Sequence, residues 1–251
     1  MKKGHKDFVT IITGLTNGNL LILGVLKGKK KQTVKNFLAK IPLRIRRTVE
    51  TICVDLYEGF INAAKEIFSK KTKITADRFH VAKLYRNGLE NLRKKELKRL
   101  KKLLSKEDYL SLKGVMWVLR KNKEHLSPEE KVQLDFLFSL SPQLKEAYQL
   151  RESLTHLFNE DINKFQGKHR INSWIRKVQR SPVRCFDSFI KTLLKFKDEI
   201  SNYFINRRSS GFVEGLNNKI KVIKRRCYGV LNRKHLFQRI YLDISGYARF
   251  S

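Results

Sequence analysis

The sequence predicts an α/β fold in which a mixed sheet occupies the first 80 residues and a block of helices follows it. Three observations lead to this prediction: short β-branched runs around a turn near the amino terminus, a change in the spacing of apolar residues near residue 79, and a basic amphipathic helix after residue 210. The chain has 251 residues, of which 41% are hydrophobic, and this is enough for one large domain or a domain with a big insertion.

The first elements are a hairpin and a helix. Two β-branched or apolar runs, 8–13 and 20–26, flank Asn17-Gly18, and this dipeptide is a strong signal for a tight hairpin turn. Thr33 is expected to cap a helix whose apolar residues share one face, and Pro42 is expected to end it.

A strand, a helix and another strand complete the predicted sheet region. The run 48–54 is expected to be a strand with Asp55 at its end. Apolar residues in 57–68 keep the spacing of an amphipathic helix, and a short strand at 73–76 ends at Asp77. This order of elements indicates an α/β unit with a mixed sheet.

From residue 79 onward only helices are expected. A long helix over 79–104 turns apolar residues such as Leu84 and Leu103 inward, and its outer face is strongly basic (Arg93, Lys94, Lys95, Lys98, Arg99, Lys101, Lys102). Ser-Pro pairs at 127, 141 and 181 predict three further helix starts, because proline suits the first helical turn. We expect both tryptophans, Trp117 and Trp174, to pack within the protein.

The last helix opens after Ser209-Ser210-Gly211, and Ser210 is its expected N-cap. Its predicted buried stripe consists of Val213, Leu216, Ile220 and Ile223. The expected domain organisation is therefore an α/β core over 1–80, a helical insertion over 81–205, and a final core segment over 206–251.

The net charge of +32, from 55 Lys and Arg against 23 Asp and Glu, points to a polyanionic partner. Nucleic acid is the first choice, an anionic membrane surface the second and a ribosome-type assembly the third. The three cysteines form no CxxC motif, so neither a zinc ribbon nor a disulfide framework is indicated, and a reducing cytoplasm fits. The longest apolar runs are too short to span a bilayer.

Two carboxylates stand out in this basic chain. Asp55 comes at the end of a strand, where open α/β sheets place their sites, and Glu214 lies in the first turn of the last helix. Each has a structural alternative, since strand-end aspartates are common and an acid complements a helix N-terminus. Together they can hold Mg²⁺ or Mn²⁺, and a pair of such ions can drive an in-line displacement at phosphate. We expect their carboxylates to lie roughly 4–8 Å apart.

Residues around these acids are candidates for support and for DNA contact. Asp77, His80, Asn217 and Asn218 are second-shell candidates, although Asp77 is more simply the N-cap of the long helix and His80 more simply a packed side chain. Phosphate contacts are expected from two basic helix faces (Lys219, Lys221, Lys224, Arg225 and Arg226 on one, Lys94 and Lys98 on the other).

Three segments resemble the bacterial insertion-sequence transposases of the ISL-three type. They are Val54-Asp55-Leu56-Tyr57, Ala76-Asp77-Arg78-Phe79-His80-Val81 and the run from Gly211 to Arg226, which begins Gly-Phe-Val-Glu-Gly-Leu-Asn-Asn-Lys. The resemblance covers essentially the whole chain, with Ser210 in place of the usual asparagine. It implies a DDE domain with an RNase H-like fold, interrupted by a helical insertion before the last acid. It also implies that Asp55 is the second aspartate of the triad and Glu214 the glutamate.

The first aspartate of that triad has no counterpart that we accept in this chain. In the family it lies just upstream of the segment that matches Lys3-Gly4-His5, and Asp7 lies beyond that segment. The family's zinc-ribbon and helix-turn-helix modules are also missing. We therefore expect a truncated transposase, lacking the first strand of the sheet and inactive or nearly so.

The expected function is metal-dependent cleavage and transfer of DNA strands at insertion-sequence ends. The expected partners are double-stranded transposon and target DNA and further copies of the chain, with no membrane, in the bacterial cytoplasm near the nucleoid. Two alternatives stay open: a non-catalytic DNA-binding or dimerising remnant, and an RNase H-like nuclease unrelated to transposition.

Overall fold

Residues 9–207, 211–227 and 232–246 are described in a computed structural model of the chain. Contacts between residues divide the chain into two units. The first unit consists of residues 1–74 and 209–251, and the second consists of residues 75–208.

The elements follow the order that the sequence predicts, with strands confined to the early part of the described chain. The strands are β1 (Val9–Thr16), β2 (Asn19–Lys27), β3 (Thr51–Val54) and β4 (Lys73–Ala76). The helices are α1 (Lys31–Ala39), α2 (Leu43–Arg46), α3 (Glu58–Ile67), α4 (Arg78–Leu100), α5 (Lys106–Ser111), α6 (Val115–Val118), α7 (Pro128–Leu140), α8 (Pro142–Asn159), α9 (Lys164–Arg180), α10 (Asp187–Lys195), α11 (Lys197–Ser201), α12 (Tyr203–Asn206), α13 (Gly211–Arg226) and α14 (Arg233–Ser245).

The predicted hairpin is confirmed. β1 and β2 pair antiparallel, and Thr16 faces Asn19 across the turn. Asn17 and Gly18 both have positive φ, at 48° and 80°, as the favoured two-residue hairpin turn requires. A register shift between Ile12 and Thr13 marks a bulge in the ladder.

The described strands form two separate two-stranded sheets rather than the one mixed sheet that the sequence predicts, and the second sheet pairs β3 with β4. The backbone N–H of Lys73 donates to the carbonyl of Glu50 at 2.8 Å, and the Thr72 hydroxyl donates to the carbonyl of Val49 at 3.0 Å. These bonds join the starts of the two strands, so β3 and β4 run parallel. β3 is shorter than the predicted 48–54, whereas β4 has the predicted bounds.

The hairpin buries side chains on both of its faces. Ile22 packs with Leu216, Ile220 and Ile223 of α13 and with residues of α14. Ile12 and Leu26 pack against the cluster of α1 and α3 instead. Successive strand residues point to opposite faces, so one two-stranded ribbon supports two layers of helices. The prediction that the last helix packs back on a sheet is confirmed for this hairpin.

In the second unit α4 and α9 both pack against α8, and aromatic rings fill much of the interior. Trp174 contacts Phe186 and Phe189, with ring centroids 5.6 and 5.9 Å apart. Its indole N–H donates to the carbonyl of Leu150 at 2.9 Å, so its polar atom is satisfied in the core.

The predicted helix starts have mixed outcomes. Ser127 forms a capping box with Glu130, and Ser141 accepts from the backbone N–H of Leu144, so α7 and α8 begin as predicted. No helix starts at Ser181-Pro182, because the Ser181 hydroxyl bonds back to Val178 in the preceding helix and α10 begins only at Asp187. α1 begins at Lys31 without a side-chain cap, two residues before Thr33.

Several burial predictions are wrong. Trp117 is 62% exposed and Leu103 is 67% exposed, whereas both were expected to be inside. α4 ends at Leu100, so Leu103 leaves the buried stripe that a continuous helix would have given it. Leu84 sits at the edge of its stripe and is 36% exposed. Ser210 and Asp7 lie outside the described residues.

Among the helices of the described residues, none combines the length and the apolar character that crossing a bilayer requires.

Candidate functional site

Asp55 follows directly after β3 in the first unit and is exposed. Its backbone carbonyl accepts from the N–H of Tyr57 at 2.6 Å, which forms a tight turn into α3. The Lys29 ammonium lies 5.1 Å from the centre of the Tyr57 ring, so positive charge borders this turn. Because β3 and β4 are parallel, the turn lies at the carboxyl edge of the second sheet, where α/β folds place their sites.

Glu214 is the fourth residue of α13, in the same unit as Asp55. The backbone of the helix is described, but the side chains of residues 211–214 and of Asn217 lie outside the description. The expected approach of the Asp55 and Glu214 carboxylates therefore stays a prediction. Leu216, Ile220 and Ile223 fix the orientation of α13 by burying one of its faces.

Asp77 and His80 form a hydrogen-bonded pair at the start of α4, in the second unit. One carboxylate oxygen of Asp77 accepts from the N–H of Phe79 at 3.1 Å, which confirms the predicted N-cap. The other lies 3.0 Å from Nδ1 of His80. The Asp77 side chain is 5% exposed and that of His80 is 42% exposed, so His80 is not the packed residue that its simpler interpretation describes. This bond fixes the imidazole orientation, as carboxylates do for metal-bound histidines.

The basic face of α13 is present as predicted, with Lys221, Arg225 and Arg226 exposed. Two of its lysines donate hydrogen bonds to nearby groups: Lys219 to the backbone carbonyl of Asp243 at 2.9 Å, and Lys221 to the side-chain amide oxygen of Asn218 at 3.2 Å. Such contacts orient the ammonium groups without neutralising them, because neither acceptor is charged.

The basic face of α4 is weaker than predicted. Arg93 donates two hydrogen bonds to the Glu90 carboxylate, at 2.9 and 2.6 Å, and these bonds are the main reason that the pKa of Glu90 is lowered. Arg99 pairs with buried Glu96; burial raises the pKa of Glu96, but hydrogen bonds from Arg99 and Ser141 outweigh it and the net shift is downward. Lys94 and Lys98 are exposed and remain the DNA-binding candidates on this helix, although the Lys94 ammonium lies 3.7 Å from the Glu90 carboxylate.

Sequence reasoning did not find a cleft between α4, α6 and α8. The cleft is lined by four arginines together with apolar residues that include Leu89 and Leu119 (the arginines are Arg86, Arg93, Arg120 and Arg151). The residues come from three helices that are far apart in sequence, and no local spacing connects them. Trp117, which lies beside the cleft, has the apolar neighbours Met116 and Val118, and this local sequence suggests a buried residue rather than a binding surface.

Comparison with known proteins places these features in context. A family model described as transposase, of the DDE class and the ISL3 type, matches residues 1–240. The chain is 26% identical over 253 residues to a transposase for the insertion sequence element IS1001 of Bordetella parapertussis, with 99% of this chain and 60% of that protein covered. It is 28% identical over 136 residues to a transposase for the insertion sequence element IS1557 of Mycobacterium tuberculosis, with 54% of this chain and 30% of that protein covered.

The chain thus spans about 60% of the length of the Bordetella relative, and 99% of the chain takes part in the match. No solved structure matches it significantly.

Proposed function

The chain belongs to the DDE transposase family of the ISL3 type, and on that premise we propose that it acts in metal-dependent cleavage and transfer of DNA strands at insertion-sequence ends. The observation that carries the proposal is the position of Asp55, an exposed carboxylate directly after a strand of a parallel pair, in the same unit as the helix that bears Glu214. DNA is the substrate, and the charge of +32 supplies the attraction to it.

Asp55 and Glu214 are the proposed metal ligands and catalytic residues. Carboxylate oxygens are the ligands that Mg²⁺ and Mn²⁺ prefer, and such ions keep positions open for phosphate oxygens. Bound there, the ions would activate the attacking hydroxyl and stabilise the leaving oxygen. The carboxylates themselves hold the ions and keep them at a fixed place beside the strand.

Asp77 and His80 are proposed to support this site. Each of the parallel strands β3 and β4 is followed by an aspartate, and parallel strands end at the same edge of a sheet. Asp77 and His80 offer a carboxylate and an imidazole, which are groups that can hold a divalent ion. Asn217 and Asn218 are proposed as polar neighbours of the same site on α13.

The basic residues of α13, together with Lys94 and Lys98, are proposed to bind phosphates. Contacts of this kind position the duplex but do not recognise its base sequence. The binding is therefore weakly specific, and its affinity falls steeply as the salt concentration rises. We further propose that residues 1–80 and 206–251 form an RNase H-like core and that 81–205 is its helical insertion. The active form is a homo-oligomer on DNA of the bacterial nucleoid.

The test is a strand-cleavage assay on a DNA fragment that carries the terminal repeats of the insertion sequence encoding this chain. If Asp55 and Glu214 hold the ions unaided, Mg²⁺ or Mn²⁺ supports cuts that leave 3′-hydroxyl ends and excess EDTA abolishes them. An absence of cuts with either ion would agree with the inactivity that the lack of an accepted first aspartate predicts. Asp55→Asn and Glu214→Gln should lower the cleavage rate by two orders of magnitude or more while DNA affinity stays within about twofold, because a displaced nucleophile alone costs on the order of 10²-fold.

Glu58→Gln is the matched control, since it removes a carboxylate three residues from Asp55 and should leave the rate unchanged. Duplex binding by the unaltered chain without any cleavage would contradict the catalytic proposal and favour a non-catalytic DNA-binding protein. Cleavage that is insensitive to Asp55→Asn would show that the site is assigned wrongly.

A further inference from the structure

The arginine-lined cleft lies in the second unit, here also called the helical unit, and it carries an excess of positive charge. Glu90 is the one acidic residue among the described residues that line it, against four arginines. Glu90 accepts two hydrogen bonds from Arg93. The positive charge at the opening of the cleft therefore comes from the guanidinium groups of Arg86 and Arg120. Both of these arginines are exposed. An anion that enters the cleft meets cationic donors on α4 and next to α6.

One wall of the cleft also has an unused buried donor. Arg151 is 1% exposed and donates to the carbonyls of Leu119 and Lys121 at 3.0 and 2.6 Å. These bonds hold the segment that bears Arg120 against α8. The Nε of Arg151 has no hydrogen-bond partner within the described part of the chain, although buried donors are nearly always satisfied. Arg151 also forms an ion pair with Glu152 at 2.7 Å, so its charge is balanced within the protein and the net positive charge of the cleft comes from Arg86 and Arg120.

An aromatic surface lies beside the cleft. Trp117 follows Met116, which lines the cleft, and its side chain stands out into solvent with 62% of the residue exposed. The guanidinium of Arg120 lies 5.0 Å from the centre of the Trp117 ring, so the ring is held in place by a cation–π contact. A fixed, exposed indole next to arginines matches the way in which proteins bind unpaired bases, by stacking on aromatic rings beside a cationic track.

We propose that this cleft binds an unpaired nucleotide of single-stranded DNA, with its phosphate between Arg86 and Arg120 and its base stacked on Trp117. The inference rests on the proposed function, since strand cleavage and transfer produce DNA with unpaired ends. A duplex does not fit the same arrangement, because its bases are stacked on each other and cannot reach the indole. The ligand class is therefore a nucleotide with an accessible base rather than a backbone phosphate alone.

The test measures the affinity of the full chain, in EDTA, for a fluorescently labelled single-stranded oligonucleotide and for a duplex of the same sequence. Trp117→Ala should weaken single-strand binding by roughly tenfold, as the loss of one stacked base does, and leave duplex binding unchanged. Arg86→Ala and Arg120→Ala should weaken single-strand binding as well. Arg176→Ala, which removes an exposed arginine of α9 that does not line the cleft, is the matched control and should change single-strand affinity by less than twofold.

Intrinsic fluorescence gives a second readout, because the chain has two tryptophans and Trp174 is buried. The single-stranded oligonucleotide should quench emission in the unaltered chain and not in Trp117→Phe. Two results would overturn the proposal: equal losses of affinity for single-stranded and duplex DNA, or losses of affinity in the arginine variants without a loss in Trp117→Ala. Either result would mean that the cleft contacts only the phosphate backbone. Failure of duplex binding in the unaltered chain would instead count against the proposed function, so the two failures are distinguishable.

Discussion

The helical unit neutralises much of its charge internally, whereas α13 of the first unit presents its charge to solvent. In the second unit Arg93 and Arg99 are each bonded to a glutamate one turn earlier, and Arg151 forms an ion pair with Glu152. On α13 the exposed Lys221, Arg225 and Arg226 follow one another without an acid between them. A net charge of +32 therefore does not mean that every basic run binds DNA; the basic residues without a local carboxylate are the ones to test.

Arg151 provides the largest expected effect on stability. Arg151→Met should lower the free energy of unfolding by about 3–5 kcal/mol, because it removes the donor to the buried carbonyl of Leu119 and the ion-pair partner of Glu152. Chemical denaturation measures the difference. Arg176→Met is the control on an exposed arginine and should stay within about 0.5 kcal/mol. Equal stability of the two variants would show that Arg151 is not a structural residue.

Two glycines, one on α4 and one on α13, test how closely each of these helices packs against its neighbours. In Gly88→Ala the new Cβ would lie 2.4 Å from the backbone carbonyl oxygen of Cys185, so α4 would have to move, at a cost of about 1–3 kcal/mol. Gly215 of α13 has nothing within 4 Å of the corresponding position, and Gly215→Ala should stabilise the helix by up to about 1 kcal/mol. Thermal unfolding of both variants measures these shifts, and a destabilising Gly215→Ala would mean that α13 packs more tightly than described.

Removal of positive charge from α13 tests whether its basic face binds DNA. Replacing Lys221, Lys224 and Arg225 together by Ala should weaken duplex binding by about tenfold for every DNA sequence and lower the slope of log affinity against log salt by about 3. The control removes the same charge from three exposed lysines of the helical unit (Lys113, Lys131 and Lys145) and should have a much smaller effect. Equal effects would mean that net charge alone drives binding.

The smallest expected effect concerns Glu66, which joins α1 to α3 in the first unit through Lys31 and Lys35. Hydrogen bonds from these lysines lower the pKa of Glu66 from 4.5 to about 2. A depressed carboxylate pKa gives stability that is present above pH 4.5 and is lost as the pH falls towards 2. Glu66→Gln should therefore be slightly less stable than the unaltered chain near pH 6 and equal to it near pH 2, with the difference reduced by salt. An unchanged difference at both pH values would contradict this.

The parts of the fold that local chemistry determines were predictable. Asn17-Gly18 gave the hairpin turn, Asp77 gave the start of α4, and Ser127 with Glu130 gave the start of α7. Each of these signals lies within four residues and acts through backbone hydrogen bonds or φ preferences. The buried stripe of α13 was predictable for the same reason, since Leu216, Ile220 and Ile223 recur at helical spacing.

The remaining features depend on contacts between distant segments. Ser181-Pro182 has the composition of a helix start, but the Ser181 hydroxyl bonds to the preceding helix instead. Trp117 is exposed, although a large apolar side chain with apolar neighbours is normally expected in the core. The arginine-lined cleft is formed by three helices that are far apart in the sequence, and no local spacing of residues connects them. For the candidate site, the positions of Asp55 after a strand and of Glu214 in the first turn of a helix identified the two acids, and a family resemblance then assigned them to the triad. The family is confirmed, and the roles of these residues stay predictions.

The central claim is that Asp55 and Glu214 together hold divalent metal, and iron-mediated cleavage of the protein backbone tests it most directly. Fe²⁺ substitutes for Mg²⁺ or Mn²⁺ at oxygen ligands, and with ascorbate and peroxide it cuts the chain beside the bound ion. The account predicts cuts near residues 55 and 214, competition by Mn²⁺, and loss of both cuts in Asp55→Asn as well as in Glu214→Gln, with Glu58→Gln unaffected. Cuts near only one of the two residues, or cuts near 214 that persist in Asp55→Asn, would contradict a shared metal site.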